Sequence, residues 1–165
     1  MSQDSLLIIS LGSNIQPVEN LRRSVDLLRQ RARLVAVASV WETTAVGTAA
    51  PNFFNSAASV RISGTPQAFK AQVLRPIEEE LGRVRSSDKF APRPIDLDPI
   101  LFKREILDDQ LWSTAYLAVP VAELAPDLVD PATGDSLAAT AARLARESRP
   151  IHHPEVSLNI PPASK

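Results

Sequence analysis

The chain has 165 residues, which suits a single domain because compact domains usually run to about 100–150 residues. Hydrophobic residues make up 44% of it and charged residues 22%, enough apolar material for a core, which excludes wholesale disorder. The net charge of -1 argues against general nucleic-acid binding, and the absence of cysteine excludes disulfides and thiolate metal sites. Because the longest apolar run, residues 6–11, is far short of the roughly 20 residues that cross a bilayer, we expect a soluble cytoplasmic protein.

The hydrophobic pattern predicts secondary-structure elements in the order β-α-β-β-α-β. The first predicted helix begins at Pro17, and the second follows Thr65 and ends near Gly82. Pro76 lies inside the second helix and predicts either a kink or a break into two pieces there. The predicted strands are residues 6–11, 35–43, 55–63 and 95–102.

This order predicts an α+β fold, the ferredoxin-like β-α-β-β-α-β sandwich, with an antiparallel-rich sheet that carries helices on one face. Extra C-terminal helices are predicted around residues 119–124 and 137–146. We expect one domain over residues 1–148, followed by a proline-rich tail over residues 149–165 that lies extended on the surface. Both histidines belong to that tail and are interpreted as solvent-exposed rather than catalytic.

The most informative chemical motif is the pair Asp96 and Asp98 on the last of these strands. Alternation along a strand puts both carboxylates on one face, with Cα atoms about 6.6 Å apart at about 3.3 Å per residue. Such a pair can share divalent cations, and Mg²⁺ prefers a few carboxylates together with substrate phosphates. The alternative is a solvent-facing strand that carries two acids without a ligand.

Basic residues gather just before this diacid and predict a polyphosphate site, because guanidinium groups match phosphate oxygens with two hydrogen bonds at once. The basic residues are Arg83, Arg85, Lys89 and Arg93. Glu78 precedes them by one to two helical turns and is a candidate for orienting one of the arginines. The alternative is a solvated loop in which the arginines form weak surface pairs with nearby acids.

Residues 41–55 contain a second group of side chains, one that suits a planar heterocycle. Asparagine and threonine side chains can read the donors and acceptors along its edge, while Phe53 and Phe90 can cover its faces. In the same stretch, Phe54 and Trp41 are interpreted as packing residues.

Taken together, these motifs resemble the 6-hydroxymethyl-7,8-dihydropterin pyrophosphokinase family. The similar stretches are residues 9–14, 43–55 and 120–129, and above all Gly-Arg-Val-Arg at residues 82–85 and Pro-Arg-Pro-Ile-Asp-Leu-Asp at residues 92–98. The resemblance implies a ferredoxin-like fold and transfer of pyrophosphate from ATP to the hydroxymethyl group of the pterin, with release of AMP. It also implies a monomer whose partners are small molecules.

The resemblance also implies roles for individual residues. Asp96 and Asp98 correspond to the ligands of two Mg²⁺ ions, and Arg83 and Arg93 act with them in catalysis. The residues along the nucleotide phosphates correspond to Glu78, Arg83, Arg85, Lys89 and Arg93. The pterin pocket corresponds to Thr43, Val46, Phe53, Asn55, Phe90 and Tyr116, with Phe90 standing where the family commonly has Trp.

Departures from the family pattern leave two other functions open. Residues 103–115 are shorter than the family's segment and contain no histidine, which favours a pterin- or nucleotide-binding relative with impaired catalysis. Phe90 and the loop around Thr44 favour a kinase-like enzyme that acts on a different pterin alcohol. Pro99 removes a backbone N–H from a strand that, in the family, helps to read the adenine edge.

Overall fold

The computed structural model describes residues 3–44, 51–84 and 92–158. Four of the predicted site residues, Val46, Arg85, Lys89 and Phe90, lie outside these ranges. The strands are β1 (Ser5–Ser13), β2 (Arg33–Val37), β3 (Trp41–Thr43), β4 (Phe53–Ile62), β5 (Asp96–Phe102), β6 (Glu105–Ile106) and β7 (Ile151–His152). The α-helices are α1 (Pro17–Arg31), α2 (Pro66–Phe69), α3 (Arg75–Glu80), α4 (Ala115–Leu124) and α5 (Leu137–Ser148). A π-helical turn, Lys70–Leu74, joins α2 to α3, and a 3₁₀ helix, Asp109–Trp112, precedes α4.

The strands form one antiparallel sheet in the order β6-β5-β1-β4-β3-β7, with β2 also paired to β4. This arrangement confirms the ferredoxin-like α+β prediction. Because β1 lies between β4 and β5, its residue Gly12 is aligned with Asn55 on one side and with Asp96 on the other. The central strand thus sets the spacing between the two groups of predicted site residues.

Helices cover both faces of the sheet, which corrects the expectation of helices on one face only. Leu7 and Ile9 of β1 pack in a core with α1 and α3, whereas Ile8 packs with α4 and α5 in a second core on the opposite face. The continuous apolar run of β1 is the physical reason, since a strand with apolar side chains on both faces needs cover on both. The predicted C-terminal helices supply that second layer.

The predicted strand over residues 35–43 is two strands, β2 and β3, separated by residues 38–40, which belong to neither strand. Glu123 of α4 accepts hydrogen bonds from the backbone N–H of Ser39 at 3.2 Å and from its hydroxyl at 2.7 Å. The indole N–H of Trp41 donates to the same carboxylate at 3.1 Å. These contacts hold the connection between β2 and β3 against the second core, where Trp41 packs as expected.

Pro76 is accommodated by the π-helical turn rather than by a break in the helix. The backbone N–H of Arg75 donates to the carbonyl of Lys70, five residues back. A proline ring clashes with the carbonyl four residues before it, so a widened turn at this point relieves the clash. The same turn places Lys70 beside β5.

The described part of the predicted tail returns to the sheet. Ile151 and His152 pair with β3, and the side chains of Val156 and Leu158 are buried in the core beneath α1. His152 is exposed, as expected, but His153 is partly buried, because its ring stacks on Phe54 and contacts two carboxylates. Among the described helices, none combines the length and the apolar character that crossing a bilayer requires.

Candidate active site

The diacid lies at the start of β5, beyond the part of this strand that β6 covers. Asp96 is aligned with Gly12 and Asp98 with Ser10, so both carboxylates project from the same face of the sheet. Their side chains remain 26% and 36% exposed, respectively, which leaves them accessible to a ligand.

Two arginines hold Asp96. The Nη1 atom of Arg83 lies 2.6 Å from Oδ1, and the Nη1 atom of Arg93 lies 3.1 Å from Oδ2. Burial opposes ionisation of Asp96, but the charge and hydrogen bond of Arg83, assisted by Arg93, outweigh it and lower the pKa of this carboxyl. Asp96 is therefore an ionised anchor that fixes both guanidinium groups.

Asp98 has a different partner, the ammonium group of Lys70, which donates to its Oδ1. Burial and the nearby charge of Asp96 raise the pKa of Asp98, while Lys70 acts against them. Sequence reasoning missed Lys70. The sequence offers no local signal for it, because Asp98 lies 28 residues away along the chain.

Glu78 lies behind this pair of aspartates and is only 2% exposed. Its Oε2 accepts hydrogen bonds from Arg83 and, at 3.0 Å, from the backbone N–H of Leu97. Burial raises the pKa of Glu78, whereas the hydrogen bond from Leu97 and the charge of Arg83 oppose that rise. The carboxylate thus ties Arg83 to the backbone of β5, the geometry needed to orient the arginine.

The predicted heterocycle residues Thr43, Phe53 and Asn55 come together where β3 meets β4. The side-chain amide of Asn55 donates to the hydroxyl of Thr43 at 2.8 Å. A Cβ at Gly12 would lie 3.3 Å from Oδ1 of Asn55 and 3.8 Å from the Phe53 ring. Glycine at this position therefore leaves open the space between Asn55 and the diacid.

Asn14 joins the loops on either side of the site, a role that sequence reasoning did not predict. Its Oδ1 accepts from the backbone N–H of Arg93 at 2.6 Å, and its own N–H donates to the carbonyl of Arg93 at 3.1 Å. Its side-chain amide reaches the carbonyl of Pro51 at 3.5 Å. Asn14 therefore sets the position of Arg93 relative to the loop before β4.

Tyr116 stands on α4, on the α4–α5 side of the sheet. Its hydroxyl donates to the side chain of Gln110 at 2.9 Å. Burial raises the pKa of Tyr116, and the charges of Asp108, Asp96 and Asp98 act in the same direction. The segment before α4 thus anchors the hydroxyl, while the ring packs against the second core, which also includes Trp41 of β3 and Ala57 of β4.

A cavity of about 320 Å³ opens beside Asp98. It is lined by Pro66, Gln67, Lys70, Asp98, Pro99, Leu107 and Asp108. Pro99 is tolerated in β5 because the register with β1 shifts beside it, between Ile8 and Ile9, and such irregular positions are where a sheet accepts proline. The volume is at the lower end of the range for small-molecule sites.

The two aspartates suit Mg²⁺ better than a metal ion whose ligands must all come from the protein. In the part of the chain that the structure describes, no three His, Asp or Glu side chains converge as metal ligands. Mg²⁺ binds through one or two carboxylates and completes its shell with phosphate oxygens and water. Asp96 and Asp98 could hold it in this way when a phosphate ligand is present.

Comparison with known proteins identifies the family. The family model described as 7,8-dihydro-6-hydroxymethylpterin-pyrophosphokinase (HPPK) matches residues 8–126. The chain belongs to the HPPK family. This membership makes it a pyrophosphokinase, and the names of further relatives, such as the folate synthesis bifunctional protein of Arabidopsis thaliana, place the family in folate biosynthesis.

Curated HPPK relatives resemble the chain over most of its length. The 2-amino-4-hydroxy-6-hydroxymethyldihydropteridine pyrophosphokinase of Synechocystis is 33% identical over 141 residues, which cover 79% of this chain and 71% of the relative. The Bacillus subtilis protein of the same name is 32% identical over 142 residues, which cover 79% and 84%, respectively. The family match over residues 8–126 includes the diacid as well as strands β3 and β4.

Solved structures show the same fold at low sequence identity. The wild-type HPPK-DHPS of Plasmodium falciparum superposes on 89% of this chain with a TM-score of 0.67 and 8% identity. This chain spans only 46% of that longer protein. The likeness supports the ferredoxin-like architecture of the HPPK domain.

Proposed function

We propose that this HPPK family member transfers the pyrophosphoryl group of ATP to the hydroxymethyl group of 6-hydroxymethyl-7,8-dihydropterin and releases AMP. The observation that supports the proposal most directly is the cross-strand alignment of Asn55, Gly12 and Asp96 on three adjacent strands. Strands lie about 4.8 Å apart, so the heterocycle-binding side chains and the diacid are about 10 Å apart. A pterin held by Asn55 and Phe53 would direct its alcohol over Gly12 toward the diacid.

In the proposed reaction, the hydroxyl oxygen of the pterin attacks the β-phosphorus of ATP. The bond between that phosphorus and the α,β-bridging oxygen breaks, AMP leaves with the bridging oxygen, and the hydroxyl proton passes to solvent. Arg83 acts from a fixed position because Glu78 and Asp96 hold it, and its guanidinium has five N–H donors, more than these contacts use. The arginine side chains would stabilise the negative charge that builds up on the phosphates.

Two Mg²⁺ ions held by Asp96, Asp98 and phosphate oxygens would supply charge neutralisation at the transferred group. Asp98 borders the cavity next to β5, whereas Asn55 lies on β4, on the far side of β1. We therefore place the nucleoside part of ATP in that cavity and the pterin over β4. We further propose that the protein acts as a cytoplasmic monomer.

The decisive experiment measures AMP formation from Mg-ATP with and without the pterin, for the wild type and for Asp96→Asn and Asp98→Asn. We expect each variant to lose activity by about 10³-fold while retaining its circular dichroism spectrum, because each removes charge that orients or binds the phosphates. Asp127→Asn, an exposed aspartate away from the site, is the matched control and should keep full activity. Retained turnover with unchanged magnesium dependence in either site variant would rule out this assignment of the diacid.

One observation favours a second candidate, a pterin- and nucleotide-binding protein without turnover. Residues 103–115 form only a tight β5–β6 hairpin and the short 3₁₀ helix, and Lys103 folds over the ring of Phe102 at 5.3 Å. Among the described residues that line the cavity, Lys70 is the single basic side chain. Binding of pterin and ATP by calorimetry, with no AMP formed, would establish this second function. AMP formed only with another pterin alcohol would instead indicate a kinase-like enzyme with a different acceptor.

A further inference from the structure

The ammonium group of Lys70 is paired with the carboxylate of Asp98, which the proposed function assigns to a metal ion. This group donates to Oδ1 of Asp98, and the two side chains are 29% and 36% exposed, respectively. A lysine ammonium is a compact cation with three donors, so it competes with a divalent cation for the same oxygen lone pairs. Lys70 therefore weakens metal binding at Oδ1 through its charge and its hydrogen bond, and a metal ion binds there more tightly once Lys70 has left.

Lys70 differs from the arginines of the site in its freedom to move. Arg83 is held from two sides, by Asp96 and by the buried Glu78. Lys70 instead stands on the wall of the 320 Å³ cavity, at the end of a flexible four-carbon stem. An anionic ligand that enters this cavity offers the ammonium group a new partner within reach of its stem.

We propose that Lys70 is a resident counter-ion of Asp98 that leaves the carboxylate when a nucleotide enters the cavity, so that divalent-cation binding depends on nucleotide binding. The inference rests on the proposed function, because it assumes that nucleotide and metal meet at the diacid. It implies weak metal binding by the free protein and tighter binding in the presence of nucleotide. By linkage, the metal must strengthen nucleotide binding by the same factor.

The test measures Mn²⁺ binding by electron paramagnetic resonance, with and without α,β-methylene-ATP, an analogue in which the reacting bridge cannot break. In the free protein, Lys70→Met should tighten Mn²⁺ binding by about tenfold, because the competing positive charge is gone. The strengthening of Mn²⁺ binding by the analogue should shrink by a similar factor. Lys70→Arg keeps a competing charge and should resemble the wild type, and Lys103→Met, which removes a lysine outside the cavity, should change neither affinity.

Equal or weaker Mn²⁺ binding by Lys70→Met in the free protein would overturn the proposal and make Lys70 a residue that positions Asp98. Asp98→Asn separates this failure from failure of the proposed function. If Asp98→Asn weakens Mn²⁺ binding but Lys70→Met does not tighten it, only the inference fails. If Asp98→Asn leaves Mn²⁺ binding unchanged, the metal site itself is refuted. Thermal melting verifies that Lys70→Met is folded, and Lys70→Gln replaces it if it is not.

Discussion

At the scale of single residues, Glu78 connects the buried interior to the diacid. Its carboxylate accepts hydrogen bonds from the backbone N–H of Leu97 and from the guanidinium of Arg83, and the residue is only 2% exposed. Burying a carboxylate costs free energy of folding, and that cost is offset only while both donors are hydrogen-bonded to it. Its removal would leave a backbone N–H without its partner and an arginine with one contact fewer.

We therefore expect Glu78→Ala to lower the free energy of unfolding by about 3 kcal/mol, measured by urea denaturation. Glu78→Gln should cost less, since its amide oxygen can still accept from Leu97. The neighbouring exposed Glu79→Ala is the control and should stay within about 0.5 kcal/mol of the wild type. A Glu78→Ala protein as stable as this control would show that the buried contacts contribute nothing.

Gly12 is a second residue whose effect can be isolated. A methyl group there would lie 3.3 Å from Oδ1 of Asn55, so Asn55 would have to shift by a few tenths of an ångström while Thr43 holds its amide. We expect Gly12→Ala to weaken pterin binding by about tenfold, because small displacements of a positioned group are costly. Gly64→Ala, where a Cβ meets nothing within 4 Å, is the matched control for calorimetric titration with the pterin. Identical pterin affinity in both variants would argue against Asn55 as a pterin contact.

At the scale of elements, β7 is held to β3 by a histidine between two carboxylates. Nε2 of His153 lies 2.8 Å from Glu42 and Nδ1 lies 2.6 Å from Glu155. The hydrogen bond to Glu155, followed by that to Glu42, raises the pKa of His153 above its usual 6.5. Hydrogen bonds from Asn52 and then His153 lower the pKa of Glu42 below its usual 4.5.

These opposite pKa shifts predict a pH range in which the pairing of β7 with β3 is most stable. The contribution of His153 is complete below its unfolded pKa of 6.5 and is lost as pH rises through the higher folded value. The contribution of Glu42 is complete above 4.5 and is lost as pH falls through its lower folded value. Attachment should therefore be strongest between these two pH values.

We expect His153→Gln to lower the melting temperature by about 2–4 °C at about pH 6 and by clearly less at about pH 9. His152→Gln is the comparison, because His152 stacks on Trp41 at 4.6 Å but makes neither of these two hydrogen bonds. Its effect should change less between the two pH values. A His153→Gln effect that is the same at both would mean that the charge of this ring does not hold the strand.

At the scale of the whole molecule, the C-terminal segment is part of the core. Val156 and Leu158 are 7% and 3% exposed and pack in the same core as Leu7 and Leu21. Burial of each such side chain is worth about 1.5–3 kcal/mol. The packing of residues 150–158 is thus a substantial fraction of the stability of a domain of this size.

A chain that ends after Arg149 should therefore lose about 3–6 kcal/mol of unfolding free energy in urea denaturation. A chain that ends after Leu158 keeps every contact described here and serves as the control. If the shorter chain loses less than about 1 kcal/mol, residues 150–158 cover the surface without supporting the core.

Much of this protein could be predicted without its structure, because the patterns concerned are local. The apolar run of β1 and the alternation of Asp96 with Leu97 depend only on the geometry of a strand. The order of strands and helices followed from such patterns and was enough to predict the ferredoxin-like sheet. The one-sided placement of the helices was wrong, because the pattern of an element does not state which face of the sheet it covers.

The element order, the shared face of the diacid and the family resemblance follow from local patterns of amino acids. The groups that complete the site come together only in the folded chain, because their partners are distant along the chain. Lys70 meets Asp98 across 28 residues, Asn14 meets Arg93 across 79, and His153 meets Glu42 across 111. Each pairing depends on how the helices and loops pack against the sheet, and no local spacing encodes that packing.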